Sequence, residues 1–124
     1  RRMLGGFGIG RVANARTVRS QLIGGMTMGL SMALHEEGVM DPRFGDYANH
    51  DLAGYHIASN ADVPDIDVFW VDERDDELGP LGGKGVGEIG IVGTAAAIAN
   101  AVWHATGVRQ RDLPIRPDRV LQAP

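Results

Sequence analysis

Residues Gly85-Val86-Gly87-Glu88-Ile89-Gly90 lead directly into a long uncharged run from Ile89 to Val108, dominated by Ala and Gly. Ile91, Ala95, Ile98 and Val102 form one apolar stripe along that run, and Val92, Ala96, Ala99 and Trp103 form a second. The spacing predicts a helix from about Gly87 to Thr106 that stops at Gly107. Apolar on two sides, it should be central and buried, with the rest of the fold arranged around it. At its start Glu88 stands among Gly82, Gly83, Lys84, Gly85, Gly87 and Gly90, a stretch with room for a bulky polar ligand. The same residues also fit a plainer role, a tight turn with an acid that complements the helix dipole.

The run has membrane-spanning length, yet Thr94, Asn100, His104 and Thr106 interrupt it and its hydropathy is weak, so a buried helix and no membrane span is the expectation. At 124 residues and 44% hydrophobic content, the chain amounts to a single domain of ordinary composition. It begins Arg1-Arg2-Met3, as expected for a piece of something longer. A formal net charge of −4 argues against nucleic acid as a partner. With no cysteine, the chain can supply neither a disulfide, nor a thiolate nucleophile, nor cysteine ligands to an iron–sulfur cluster. His35, His50, His56 and His104 share no metal-ligand spacing, and Ser20, Ser31 and Ser59 lack the glycine-flanked elbow of a serine hydrolase. His35-Glu36-Glu37 reads as a solvated helix end.

Residues 85–90 also spell the dinucleotide fingerprint G-x-G-x-x-G. A true site of that kind needs a strand running straight into the glycines and an acid about 20 residues on, at the end of a second strand. Here the acidic, turn-rich stretch Asp72 to Pro80 intervenes, and the surroundings of Asp112 do not read as a buried strand.

Elsewhere, Met3 to Val12 is glycine-heavy and suits a strand approached closely by another backbone. Asn14 can cap a helix from about Ala15 to Glu37, stopped by Gly38, with Val18, Leu22, Met26, Leu30 and Ala33 as its core face. Gly24, Gly25 and Gly29 inside it imply close approach, by another helix or by a cofactor lying across it. Met26, Met28 and Met32 read as core filler. Asp41 to Asn60 reads as loop with a short extended piece near Tyr55-His56-Ile57, and Ile66 to Val71 alternates as a clear strand with Ile66, Val68 and Trp70 on one face. The tail from Leu113 is extended and turns into a short helix at Pro117. The fold class is α+β: two long helices packed with a small sheet.

Gly83-Lys84-Gly85-Val86-Gly87-Glu88-Ile89-Gly90-Ile91, the Ala-rich helix, and Gly107-Val108-Arg109-Gln110-Arg111-Asp112-Leu113-Pro114-Ile115 closely resemble the C-terminal end of molybdenum-binding large subunits of the xanthine dehydrogenase and aldehyde oxidase family. Gly10-Arg11-Val12-Ala13-Asn14, the segment Ser20 to Leu30, and Leu34-His35-Glu36-Glu37 match the same family in the same order. The resemblance covers essentially the whole chain, 1–124, as one C-terminal fragment of the second molybdenum-binding domain, and is nearest to bacterial aldehyde oxidoreductases whose molybdenum subunit is a separate polypeptide.

The resemblance implies a molybdopterin cofactor, in the cytosine dinucleotide form for a bacterial protein, with an oxo-sulfido-hydroxo molybdenum centre. Iron–sulfur clusters and FAD on partner subunits or domains would carry electrons away. It implies that Glu88 is the general base, that Gln21 hydrogen-bonds the pterin, and that Lys84, Gly85 and Gly87 line the cofactor side, Lys84 and Gly87 through backbone N–H groups. Met28 departs from the pattern, standing where the family commonly has glutamine. The other cofactor-binding segments and the substrate pocket of such subunits lie outside this sequence. Competing readings are a non-catalytic assembly or dimerisation module, which an exposed face of the glycine-rich helix would favour, and a dinucleotide-binding domain, which a strand ending at Gly83 would favour. The fragment alone should lack activity and self-associate.

Overall fold

A computed structural model of the chain describes residues 2–121. In chain order its elements are β1 (Arg2–Gly8), α1 (Ala15–Leu34), β2 (Met40–Asp41), β3 (Asp46–Tyr47), β4 (Asp65–Val71), α2 (Ile89–Val92), α3 (Thr94–Thr106) and α4 (Pro117–Leu121). β1 and β4 pair in parallel, with Met3 opposite Ile66 and Gly5 opposite Val68, and α1 makes the crossover between them. A two-residue antiparallel pair, β2 with β3, occupies the loop that follows α1. The extended piece expected near Tyr55 is not a strand; the regular pairing sits earlier, at Met40–Asp41 and Asp46–Tyr47.

The core forms where the apolar face of α1 meets one face of the sheet. Leu22, Met26, Ile66 and Val68 are buried together, with Met3, Phe7, Val18, Trp70, Val86 and Ile89 packed around them. Alternation in β4 therefore has the expected effect, turning Ile66, Val68 and Trp70 inward. The glycines of β1 serve side chains more than backbones: a Cβ on Gly5 would lie 2.8 Å from the Met26 sulfur, and one on Gly6 would lie 2.6 Å from the Phe69 ring. Of the methionines on α1 only Met26 is core; Met28 and Met32 face outward, contrary to expectation.

Asn14 caps α1 as its sequence position predicts, its Oδ1 accepting from the N–H groups of Arg16 and Thr17 at 3.1 Å each. The helix ends at Leu34, short of the expected Glu37. The Ala33 carbonyl, which a continuing helix would offer to Glu37, accepts instead from the Ile115 N–H at 2.7 Å. Tyr55 Oη donates to Glu36 and Arg116 to Glu37, so two acids expected to be merely solvated tie loop and tail to the end of α1.

The second helix departs further from expectation. It starts at Ile89, is interrupted at Gly93, and is mostly exposed along residues 89–106. That run has a mean hydropathy of 1.3, long and apolar enough to cross a membrane by length and composition alone. Its first turns pack tightly on α1: a Cβ on Gly29 would lie 2.6 Å from Thr94 Cβ, and a Cβ on Gly25 would lie 2.9 Å from Gly90 Cα. Beyond Thr94 the helix runs clear of the core, leaving an open apolar groove of about 370 Å³ against β1, lined by Gly5, Met26, Gly90, Thr94, Ala97 and Ile98. Gly107 ends α3 at φ 74°, its N–H bonded to the Trp103 carbonyl at 2.7 Å.

Candidate active-site loop

Glu88 is the residue that hands the glycine loop over to α2. It is exposed, at φ −132° and ψ 9°, and although it occupies the N-cap position its side chain makes no capping hydrogen bond. Among the described residues no hydrogen bond or ion pair engages its carboxylate. An acid that caps a helix by hydrogen bonding would bond an end N–H, and this one does not. Its carboxylate can still complement the helix dipole, which needs no such bond.

The backbone beneath Glu88 is held on both sides. Val86 and Ile89 pack against the core. Gln21, nearly two turns into α1, donates from Nε2 to the Gly87 carbonyl at 3.2 Å, joining two residues predicted to share a site. Gly90 lies directly on α1, where an added Cβ would stand 2.6 Å from the Leu22 carbonyl oxygen. The packing on Gly25 and Gly29 is therefore that of helix on helix. Gly24, Gly85 and Gly87 differ: a Cβ on any of them meets nothing within 4 Å. Gly85 and Gly87, with the exposed remainder of the Gln21 carboxamide, leave backbone bare of side chains next to Glu88. Among the described residues the N–H groups of Gly85 and Gly87 have no partner.

Lys84 behaves otherwise than expected. Its N–H donates to the Ile9 carbonyl at 2.9 Å, so it is no spare donor for a cofactor. Its ammonium lies 2.8 Å from Glu73 Oε1 and 3.4 Å from Asp75 Oδ2. The hydrogen bond from Lys84, and then that from the Gly10 N–H, hold the Glu73 carboxyl below its ordinary range; the same Glu73 contact raises Lys84 above the usual lysine range. Glu73 and Asp75 were not among the residues expected at the site. The available signal was Lys84 itself, the only lysine in the chain, set in a glycine loop that follows an acidic stretch.

No strand runs into the glycines. β4 ends at Val71, and Gly83 makes only an isolated antiparallel bridge to Gly10, so the dinucleotide fingerprint lacks its structural context. Among the described residues no group of three or more His, Asp or Glu side chains stands close enough to hold a metal ion.

A profile of the molybdopterin cofactor-binding domain family matches residues 1–64. The chain belongs to that family. Its relatives include much longer oxidoreductase subunits. It is 50% identical over 121 residues to the aldehyde oxidoreductase molybdenum-binding subunit PaoC of Escherichia coli K12, a match covering 98% of this chain and 16% of that subunit. It is 36% identical over 113 residues to the putative xanthine dehydrogenase molybdenum-binding subunit XdhA of the same strain, covering 91% of this chain and 15% of that one. Among solved structures, quinoline 2-oxidoreductase from Pseudomonas putida 86 superposes with a TM-score of 0.84 at 30% identity, over 95% of this chain and 15% of that one. The chain thus spans about one sixth of the length of the relatives it matches.

Proposed function

We propose that this chain forms one wall of the molybdopterin site in a molybdenum hydroxylase subunit that oxidises aldehydes or N-heterocycles, with Glu88 as the general base. The observation that carries the reading is a free carboxylate on a loop fixed at both ends, next to a surface from which side chains are missing. Molybdopterin fits that surface as one face of a larger cradle: the Gln21 carboxamide and the N–H groups of Gly85 and Gly87 would hold it. When bound, it supplies the metal centre that accepts the substrate's electrons. The chain's own contribution is a proton acceptor. Glu88 Oε would take the proton of the hydroxyl group that attacks the substrate carbon, and the packing of Val86, Ile89 and Gly90 keeps that oxygen from wandering.

The cytosine dinucleotide form of the cofactor, and iron–sulfur and FAD partners that take the electrons onward, belong to the same proposal; the absence of cysteine leaves cluster ligation to those partners. A second role is favoured by a separate observation. Ser20, Gly24, Met28 and Met32 form an exposed stripe on α1, and α3 is exposed too, so this chain also serves as an assembly face for the remainder of the subunit.

The test is Glu88→Gln in the complete enzyme, which keeps the shape and removes the acceptor. Turnover per molybdenum should fall by about a hundredfold to ten-thousandfold, the usual contribution of a positioned base. Full cofactor content with near-normal turnover would end the reading.

A further inference from the structure

Glu73 lies outside the core, just past the end of β4, and yet it joins three segments. Its Oε1 accepts from the Gly10 N–H, beyond the end of β1, at 3.1 Å, and from the Lys84 ammonium at 2.8 Å. Backbone bonds stitch the same places together: Arg11 N–H to the Gly82 carbonyl at 2.7 Å and Lys84 N–H to the Ile9 carbonyl at 2.9 Å. Two glycines make that approach possible. Gly10 and Gly82 have φ 65° and 64°, and a Cβ on Gly10 would stand 2.4 Å from the Gly82 oxygen.

The consequence concerns what lies between two anchors. At the far end, Gln21 and the Gly90 contact with α1 fix the loop just before and after Glu88. At the near end, the loop is fixed where Lys84 meets Glu73. Between them only Val86 packs, against the core, while Gly85 brings no side chain, so the set of the span rests on Val86 and on both anchors together.

Resting on the reading of Glu88 as the base, we infer that Glu73 is a positioning residue, acting through Lys84 and the Gly10 N–H to hold the Gly82–Gly87 backbone so that the Glu88 carboxylate stands at working distance. As a contribution to global stability, a partly exposed ion pair of this kind is minor. As a setting for a base it is not, because a misplacement of about 1 Å can reduce turnover by about a hundredfold. Lysine suits the joint: a compact ammonium on a flexible stem reaches Glu73 and Asp75 together.

The experiment uses the full-length enzyme with its partner subunits and compares Glu73→Ala, Glu73→Gln, Lys84→Met and the double variant Glu73→Ala/Lys84→Met. Molybdenum content, melting temperature, kcat per molybdenum and KM are measured for each. Glu73→Ala and Lys84→Met should each lower kcat per molybdenum by about tenfold to a hundredfold, with KM changed by less than about threefold. The double variant should be no worse than the poorer single one, as residues acting through one joint are not additive. Glu73→Gln retains an oxygen that accepts from both donors and should recover most of the rate.

Unchanged kcat per molybdenum in Glu73→Ala overturns the inference, as does a loss confined to cofactor content or melting temperature. Glu88→Gln is run alongside. If it loses turnover while Glu73→Ala keeps it, the positioning role alone is refuted; if Glu88→Gln itself turns over normally, the base and its positioning residue are refuted together.

Discussion

At Glu88, two uses of a carboxylate at a helix start separate by what the side chain touches. A capping acid bonds the end N–H groups, and this one makes no such bond. Glu88→Gln should therefore leave the melting temperature near that of the parent enzyme while turnover falls. Glu73 is the opposite kind of acid, engaged on both sides, and its signature is acid sensitivity. A carboxyl held below its ordinary range stabilises the folded protein above that range and loses the contribution as pH falls through its lowered value. Lys84, raised by the same contact, keeps its share until pH climbs past the usual lysine range. The difference in melting temperature between parent and Glu73→Gln should accordingly be steady across neutral pH and shrink as pH falls below the ordinary carboxylate range and through the lowered value of Glu73. A difference that stays constant through acid pH would show that the carboxylate charge plays no part. The closeness of Gln21 to Gly87 was legible because the family resemblance assigns both to one site. Glu73 was not, because the contact that matters to it spans 63 residues to Gly10 and its local sequence reads as an acidic turn.

Among the elements, the crossing of α1 with α2 sets the height of the glycine loop, and it depends on two residues with no side chain. Gly25 and Gly90 touch through their backbones, and Gly90 also lies against the Leu22 carbonyl. Gly90→Ala should separate the helices and destabilise the subunit by about 1–3 kcal/mol, the usual range for overpacking. Because the same contact anchors the residue after Ile89, cofactor retention should fall with it. Gly87→Ala, where a Cβ meets open space within this chain, should spare stability and act only on cofactor content. Equal melting temperatures for Gly90→Ala and Gly87→Ala would contradict this account of the crossing. Periodicity read α1, β4 and the short helix at Pro117 well, since each follows from a local pattern and a cap or turn residue. It overran the end of α1 because the bond that stops the helix comes from Ile115 in the tail.

For the whole molecule, the largest departure is α3. Two apolar stripes say that a helix will be covered, without saying by what. Among the described residues the second stripe is left largely uncovered: Val92, at the end of α2, is 82% exposed and Trp103 on α3 43% exposed, while the adjacent groove along β1 stays open. Among the described residues the β1–β4 sheet has two strands, and an isolated pair of that kind is marginal without further strands or packing. In relatives about six times longer, there is ample polypeptide to close these faces. The isolated 124-residue chain has no such polypeptide, and exposed apolar surface of this extent drives association. Its weight-average mass in sedimentation should rise with concentration, and Val92→Asp, which puts a charge on the exposed face, should shift it back towards monomer. On the proposed reading the chain carries one wall of the cradle, so molybdenum should not co-purify with it. A clean monomer across the concentration range would mean that the apolar faces are tolerated in water, and molybdenum bound at stoichiometry would mean that one wall suffices.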